Sequence, residues 1–183
     1  MSGRREIAIP SVVRIKPGAL DRIGIYLGRS DCRRALLLFS EGLPAPLLQR
    51  CRASLSGENV EIAEQLAVSK ASFEEAQRIF TSVADGWDAV VAMGGGKALD
   101  TAKYVGFLLQ KPYFAVPTSL SNDGFCSPQS SLTVGGRRRS LPSNMPFAVV
   151  VDTEVCLQAP RILWLSGVGD LVSKITPVKD WKL

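Results

Sequence analysis

The sequence predicts an α/β fold of the doubly wound type, in which a mostly parallel, Rossmann-like sheet carries helices on both faces. Three observations lead to this prediction. Short apolar segments alternate along the chain with longer segments of helical periodicity. Residues 35–39 are apolar at every position, which is typical of a strand covered on both faces. Three glycines follow a later apolar segment directly and pass into a predicted helix.

The elements follow from local patterns taken in order. Strands are expected at residues 6–15, 34–40, 60–67, 88–93, 113–116 and 147–151, and helices at 19–27, 44–55, 72–84 and 97–109. Ser72 is the expected N-cap of the third helix, since Glu75 follows three residues later in a capping box. An apolar helical stripe begins after Pro160, and Pro177 is expected to kink or stop it.

Residues 130–141 interrupt this alternation and predict a β-hairpin that turns at Gly135 and Gly136. The turn leads into three consecutive arginines, the main basic cluster in a chain of net charge +5. No aromatic residues interleave with them, so the pattern argues against a nucleic-acid partner. Two interpretations stay open: a solvent-exposed hairpin tip, or a pocket that neutralises a phosphate ester.

Composition excludes several kinds of site. The four cysteines are widely separated, which indicates neither a zinc knuckle nor a disulfide scaffold and suits a reducing cytoplasm. No segment approaches the roughly 20 apolar residues of a membrane span, so we expect a soluble cytoplasmic protein without a membrane partner. The 183 residues include no histidine, which excludes Ser-His-Asp and Cys-His catalysis within this chain and removes the commonest transition-metal ligand.

The glycine run Gly94, Gly95 and Gly96 predicts a pyrophosphate cradle. Glycine lacks a Cβ, so the backbone can approach a diphosphate closely, and a helix beginning near Lys97 offers unpaired N–H groups and the positive end of its dipole. Neither the P-loop pattern nor G-x-G-x-x-G fits the sequence here. A simple tight turn between a strand and a helix is the alternative.

Two more segments, residues 117–127 (PTSLSNDGFCS) and 167–174 (GVGDLVSK), follow the glycine run. With these motifs in order, the chain resembles the iron-containing alcohol dehydrogenase superfamily, which includes glycerol dehydrogenases and dehydroquinate synthases, and most of all its sn-glycerol-1-phosphate dehydrogenase branch. The likeness covers the whole chain but only the first half of such an enzyme. It implies a nucleotide-binding domain at 1–158 and, at 159–183, the first helix of an all-helical domain that is otherwise absent.

The resemblance implies a site for NAD or NADP. Seven residues are implied in binding it: Gly94, Gly95, Gly96, Asp100, Thr118, Ser119 and Ser121. Asp100 and Lys103 would support the loop or the nearby ligand. An ordinary polar loop is the alternative for the hydroxyl residues. The choice between the cofactors stays open, because Glu41 would favour NAD whereas Ser40 would tolerate the extra phosphate of NADP.

The resemblance also implies a substrate and metal site. Asp123 would lie near the substrate hydroxyls, with an Asx turn onto Gly124 as the alternative. Asp170 matches a metal-ligand aspartate, with an N-cap at a helix start as the competing explanation. The divalent metal (zinc, iron or nickel) would polarise the reacting oxygen during hydride transfer. Its other two ligands would be histidines of the missing half, so this chain alone is expected to be inactive.

These implications favour the cofactor-binding portion of an oxidoreductase that acts on glycerol-1-phosphate, dihydroxyacetone phosphate or a related polyol. Its partners would be a nicotinamide dinucleotide, a small phosphorylated polyol, and the missing half or a second copy of the chain. The alternatives are a truncated, non-catalytic nucleotide-binding or interaction protein, and a lyase of the dehydroquinate synthase kind, to which residues 170–181 are less similar.

Overall fold

A sheet of parallel strands organises the protein, seen here in a computed structural model that describes residues 8–83 and 86–180. The strands within these residues are β1 (Val12–Lys16), β2 (Arg34–Ser40), β3 (Glu61–Val68), β4 (Ala89–Gly94), β5 (Tyr113–Pro117), β6 (Gln129–Val134), β7 (Arg137–Pro142) and β8 (Ala148–Asp152). The α-helices are α1 (Ile23–Gly28), α2 (Ala45–Gly57), α3 (Phe73–Ser82), α4 (Gly96–Leu109), α5 (Thr153–Leu157), α6 (Arg161–Ser173) and α7 (Ile175–Asp180).

The main sheet has the strand order β1–β8–β5–β4–β2–β3, and every neighbouring pair is parallel. The order reverses between β2 and β4, because β3 lies on one side of β2 and the chain then returns to its other side. In open parallel sheets, ligands bind beyond the carboxyl ends of the strands at such a reversal. The predicted doubly wound α/β fold is confirmed, and the point of reversal lies beside the glycine run.

Apolar side chains fill both faces of this sheet. On one face, α1 and α2 cover the strands with Ile23, Leu27, Leu48 and Leu55. On the other face, α3 and α4 do so with Ala76, Ile79, Leu99 and Val105. Strand β4 is buried at every position, as its continuous apolar sequence predicts.

Residues 129–142 form the predicted β-hairpin as an antiparallel pair of strands, β6 and β7. The hairpin packs beside the start of α3, where the Thr133 N–H donates to the Ala71 carbonyl at 2.9 Å. Arg137 and Arg139 are exposed. Arg138 is exposed as well, but it also donates to Ser131 Oγ at 2.8 Å and lies 3.9 Å from Asp100.

The third helix begins as predicted, since Ser72 Oγ accepts a hydrogen bond from the Glu75 N–H at 3.2 Å. It ends at Ser82, and residue 84 of the predicted helix lies outside the described residues, as do residues 6 and 7 of the first predicted strand. The short helix α5 was not predicted. Asp152 is its N-cap, with Oδ1 accepting from the Glu154 N–H at 3.1 Å.

The C-terminal helical segment is interrupted, as predicted from Pro177. Helix α6 ends at Ser173, and α7 starts two residues later with Pro177 in its first turn. Proline has no N–H to donate to the Ser173 carbonyl, so a continuous helix would lack this hydrogen bond. Seven large apolar side chains on this segment are exposed: Ile162, Trp164, Leu165, Val168, Leu171, Val172 and Ile175. Within the described residues, no helix has the length and apolar character of a membrane span.

Candidate functional site

The glycine run lies where β4 ends, and its path is set by Ser40 at the end of β2. Gly94 has a φ of 146°, and a Cβ on it would lie 2.0 Å from Ser40 Oγ. The same hydroxyl accepts a hydrogen bond from the Gly95 N–H at 3.1 Å. Ser40 therefore holds the glycine loop. Sequence reasoning considered it only for cofactor choice, because a serine at a strand end carries no signal for such a contact.

Gly95 is the N-cap of α4 and is extended, with a φ of −85°. The first hydrogen bond of the helix runs from the Leu99 N–H to the Gly95 carbonyl at 3.1 Å. The preceding N–H groups of Gly96, Lys97 and Ala98 have no acceptor within the helix. They point out of its N-terminus, where the helix dipole favours an anion.

The space beside this N-terminus fits the cradle predicted from the glycines. A Cβ on Gly95 would lie 3.9 Å from Ser119 Oγ, and one on Gly96 would lie 3.6 Å from Asn122 Nδ2. Apart from atoms of the adjoining residues, no described atom lies closer to either Cβ position, so there is open space in front of the helix N-terminus. The residues present therefore fit the pyrophosphate of a dinucleotide.

A cleft of about 460 Å³ opens beside the glycine loop. It lies between the turn after β2, the end of β5 and the connection from α5 to α6. Among the predicted cofactor residues, Gly95, Thr118 and Ser119 line it, together with Ser40 and Glu41. Within the described part of the chain, four other predicted residues are not among its lining: Gly94, Gly96, Asp100 and Ser121.

Asp100 lies in α4 with its side chain turned towards the hairpin. Its Oδ1 is 3.5 Å from Lys103 Nζ, and its Oδ2 is 3.9 Å from Arg138 Nη2. Burial raises the pKa of Asp100, and the charge of Lys103 opposes this shift. Direct contact of Asp100 with a cofactor stays a prediction.

Lys103 is fully buried, and its ammonium group holds the loop after β5 in place. It donates to the carbonyl oxygen of Gly124 at 2.5 Å and to that of Gln129 at 2.7 Å. Burial lowers the pKa of Lys103, while the carboxylate of Asp100 opposes the shift. The geometry agrees with a supporting role for Lys103.

A second pocket, of about 310 Å³, lies between this loop and α6, and both Asp123 and Asp170 line it. The Asp123 N–H donates to Asp170 Oδ2 at 3.2 Å. Lys174 Nζ lies 3.1 Å from Asp123 Oδ2 and 3.7 Å from Asp170 Oδ1. The hydrogen bond that Lys174 donates to the Asp123 carboxylate raises the pKa of Lys174. Sequence reasoning missed Lys174, although its spacing of four residues from Asp170 on a helix could have indicated the contact.

Both competing explanations for these aspartates require correction. Asp170 is the tenth residue of α6, counted from Arg161, so it cannot be an N-cap at a helix start. The Gly124 N–H donates the Asx-type hydrogen bond to Asn122 Oδ1 at 2.9 Å, and not to Asp123. The carboxylate of Asp123 is 65% exposed. It is therefore free of the backbone role that the sequence suggested as its alternative.

The residues present do not by themselves form a metal centre. No group of three metal-ligating side chains occurs within residues 8–83 and 86–180, and the full sequence has no histidine. The two carboxylates of the second pocket also share the ammonium group of Lys174. A metal at Asp170 would need further ligands from beyond the residues that the structure describes.

The open parallel sheet, with a glycine loop at its point of reversal, defines a protein of the doubly wound, Rossmann-like class. A family model described as iron-containing alcohol dehydrogenase matches residues 14–160. The chain belongs to the iron-containing alcohol dehydrogenase family.

Relatives in this family are similar over nearly the whole chain. A glycerol-1-phosphate dehydrogenase (NAD(P)+) of Aeropyrum pernix is 33% identical over 180 residues, which cover 97% of this chain and 51% of the relative. The enzyme of the same name from Archaeoglobus fulgidus is 34% identical, over 98% of this chain and 50% of the relative. The chain thus spans about half the length of these relatives.

Solved structures agree with this assignment. The glycerol dehydrogenase of Schizosaccharomyces pombe superimposes with a TM-score of 0.83 at 25% identity, over 94% of this chain and 44% of that protein. A probable glycerol dehydrogenase from Sinorhizobium meliloti gives a TM-score of 0.81 at 28% identity, over 92% of this chain and 46% of that protein.

Proposed function

We propose that this chain is the cofactor-binding portion of an NAD(P)-dependent dehydrogenase that acts on glycerol-1-phosphate, dihydroxyacetone phosphate or a related polyol. The observation that carries the proposal is the N-terminus of α4, where three N–H groups without intrahelical acceptors directly follow Gly95, a lining residue of the cleft of about 460 Å³. The names of the relatives support the substrate class. The four free cysteines, three of them buried, agree with a reducing cytoplasm.

In this proposal the cleft holds the dinucleotide. The N–H groups of Gly96, Lys97 and Ala98 bind the pyrophosphate, and Ser40 keeps the glycine loop in the shape that allows it. Thr118 and Ser119 supply hydroxyl groups along the cleft. When bound, the cofactor supplies the hydride. The proposed cofactor site also includes three residues that lie outside the lining of the cleft: Gly94, Asp100 and Ser121.

The second pocket takes the substrate in this proposal. Asp123 accepts hydrogen bonds from substrate hydroxyl groups, for which an exposed carboxylate is suited. Asp170 is one metal ligand, and the remaining ligands come from a histidine-bearing half that lies outside these 183 residues. Residues 1–158 then form the nucleotide-binding domain, and residues 159–183 begin the helical one.

Cofactor binding tests the proposal directly. NADH and NADPH are titrated into the chain, and binding is followed by nicotinamide fluorescence. Gly95→Leu should weaken binding at least about tenfold, since the side chain enters the cleft while the extended backbone at Gly95 accepts any residue. Gly57→Leu is the matched control, because a Cβ there meets nothing within 4 Å and Gly57 ends α2. Failure of the chain to bind either nucleotide would overturn the proposal.

A non-catalytic nucleotide-binding or interaction protein is the second candidate. The ion pairs of Lys174 with Asp123 and Asp170 favour it, because they neutralise the carboxylates without a metal. Mixing the chain with Zn²⁺ and the separately produced C-terminal half of the Aeropyrum pernix relative distinguishes the two. NADH oxidation dependent on dihydroxyacetone phosphate, with neither half active alone, would exclude the non-catalytic candidate.

A further inference from the structure

Strand β1 ends the sheet, and among the residues that the structure describes no strand pairs with one of its sides. It pairs with β8 on the other side, where the Val12 N–H donates to the Phe147 carbonyl at 3.1 Å. Backbone groups alternate in direction along a parallel strand, so Val13 and Ile15 point their N–H and C=O groups to the open side. An open edge of this kind is a template for another strand.

One face of this edge is strongly basic. Four cations lie on β1 or on the helical segment after it: Arg14, Lys16, Arg22 and Arg29. Among the residues that the structure describes, none of the four has a carboxylate within ion-pair distance. The acidic residue of this segment, Asp21, is bound on both oxygens by Arg50 at 2.8 Å. The charges of the face are therefore uncompensated.

A groove of about 380 Å³ runs along this basic face. Its lining consists of Arg14, Arg22 and Arg29, of Ser11 and Tyr26, and of the apolar residues Val12, Val13 and Ile25. Desolvation, followed by the charges of Arg22 and Arg14, lowers the pKa of Lys16 beside it. A ligand that lies in the groove can reach several cations at once.

The opposite face of β1 is apolar. Val13 and Ile15 are 55% and 64% exposed, and they pair in register with Val149 and Val151 of β8. Side chains alternate between the two faces of a strand. The edge therefore offers open backbone groups between a row of cations and a row of aliphatic side chains.

We infer that β1 is a docking edge for an extended acidic segment of another protein, which adds to the sheet as a strand. Such a segment would alternate Asp or Glu with aliphatic residues, so that its carboxylates face Arg14, Arg22 and Arg29 while its apolar residues cover Val13 and Ile15. Main-chain hydrogen bonds supply affinity in this mode of recognition, and the alternate side chains supply specificity. A second copy of this chain is a poor occupant, because it would bring four more uncompensated cations to the same edge.

The probe is a fluorescein-labelled nine-residue peptide of alternating glutamate and valine, titrated against the complete 183-residue chain by fluorescence anisotropy. A peptide of the same composition with its glutamates in one block, and a lysine–valine peptide, are the controls. We expect the alternating peptide to bind at least about tenfold more tightly than either control. Binding should weaken as salt is raised, because the cations are at the surface.

Two variants distinguish the contribution of the backbone hydrogen bonds to peptide binding from the contribution of the cations. Val13→Pro removes an N–H that points away from β8, so it should abolish binding while the unfolding midpoint stays unchanged. Arg14→Glu with Arg29→Glu should weaken binding at least about tenfold. Arg137→Glu with Arg139→Glu makes the same change of charge on the exposed hairpin and should leave binding unchanged.

Three results would overturn the inference. Equal binding of the block peptide, or full binding by Val13→Pro, would mean that the face attracts anions without adding a strand. If the chain forms a dimer that Val13→Pro dissociates, the occupant of the β1 edge is a second copy of the chain. Absence of binding by the alternating peptide would mean that the edge accepts no acidic strand.

Discussion

The ammonium group of Lys103 donates to the carbonyl oxygen of Gly124 at 2.5 Å, across a sequence separation of 21 residues. Lys103 lies seven residues after Gly96 in α4, which is about 10 Å along a helix. One helix thus carries the proposed phosphate site at its N-terminus and, two turns later, the side chain that holds the loop of Asp123. The two pockets keep a fixed separation for as long as this contact is made.

Replacement of Lys103 by methionine should destabilise the protein by about 2–4 kcal/mol. The change removes the buried donor from the carbonyl oxygens of Gly124 and Gln129. It also removes the nearer cation from Asp100, whose remaining ion pair is with Arg138 Nη2, 3.9 Å from Oδ2. Urea unfolding measures the loss. Arg78→Met is the control, because Arg78 is 54% exposed and its ion pair with Glu75 is worth at most about 1 kcal/mol. Equal losses in the two variants would contradict the role assigned to Lys103.

Gly94→Ala should cost roughly 2–4 kcal/mol of unfolding free energy. The new Cβ would meet Ser40 Oγ at 2.0 Å, and the φ of 146° is unfavourable for alanine. Gly95→Ala serves as the matched change in the next residue, where φ is −85° and the Cβ would lie 3.9 Å from Ser119 Oγ. Urea unfolding midpoints of the two proteins should differ clearly, and similar midpoints would show that Ser40 does not constrain the loop.

Asp88→Asn should lower stability at neutral pH by about 1 kcal/mol. The backbone N–H groups of Arg33 and Arg34 donate to Asp88 Oδ2 at 2.8 Å and lower the pKa of Asp88 below its ordinary value of 3.8. A carboxylate whose pKa is lowered in the folded state stabilises the protein at pH values above its ordinary pKa. This stabilisation is lost as the pH falls through the lowered pKa.

Unfolding free energies measured from pH 7 to pH 2 check this dependence on Asp88. The difference between the wild type and Asp88→Asn should shrink at the acid end. Asp31→Asn is the control, since the Asp31 carboxylate accepts no hydrogen bond from the described residues. A difference that stays constant across the range would refute the assignment.

Leu165→Glu with Val172→Glu on α6 should change the unfolding free energy by less than about 0.5 kcal/mol for each substitution. Both side chains are exposed, so no core contact is lost. The same pair should reduce binding of the dye ANS and any self-association seen by sedimentation velocity, because it divides an exposed apolar surface. Ile9→Glu, at an exposed residue on another part of the surface, should leave both signals unchanged.

Features that depend on local sequence could be predicted. Strand β2 has the predicted bounds 34–40, because its apolar run is bounded by polar residues on both sides. The Ser72 cap and the Gly135-Gly136 turn also follow from residues close together in the chain. The glycine loop was located for the same reason, since it directly follows a buried strand.

Features that depend on distant residues could not be predicted. Ser40 and Gly95 are 55 residues apart, and only the parallel pairing of β2 with β4 brings them together. Helix α5 was missed because five residues carry little periodicity, and its cap Asp152 is also the last residue of β8. The position of Asp170 at the tenth residue of α6 depends on a helix that continues past Gly167 and Gly169, which lower the local helix propensity.

The pairing of β1 with β8 sets an order in time for folding during synthesis. Val12 pairs with Ala148, so 136 residues must be made after Val12 before its partner exists. At ribosomal rates of roughly 5–20 residues per second, that takes roughly 7–27 s. Strands β2, β3 and β4 can pair with one another earlier, which makes the first strand of the chain the last to join the sheet.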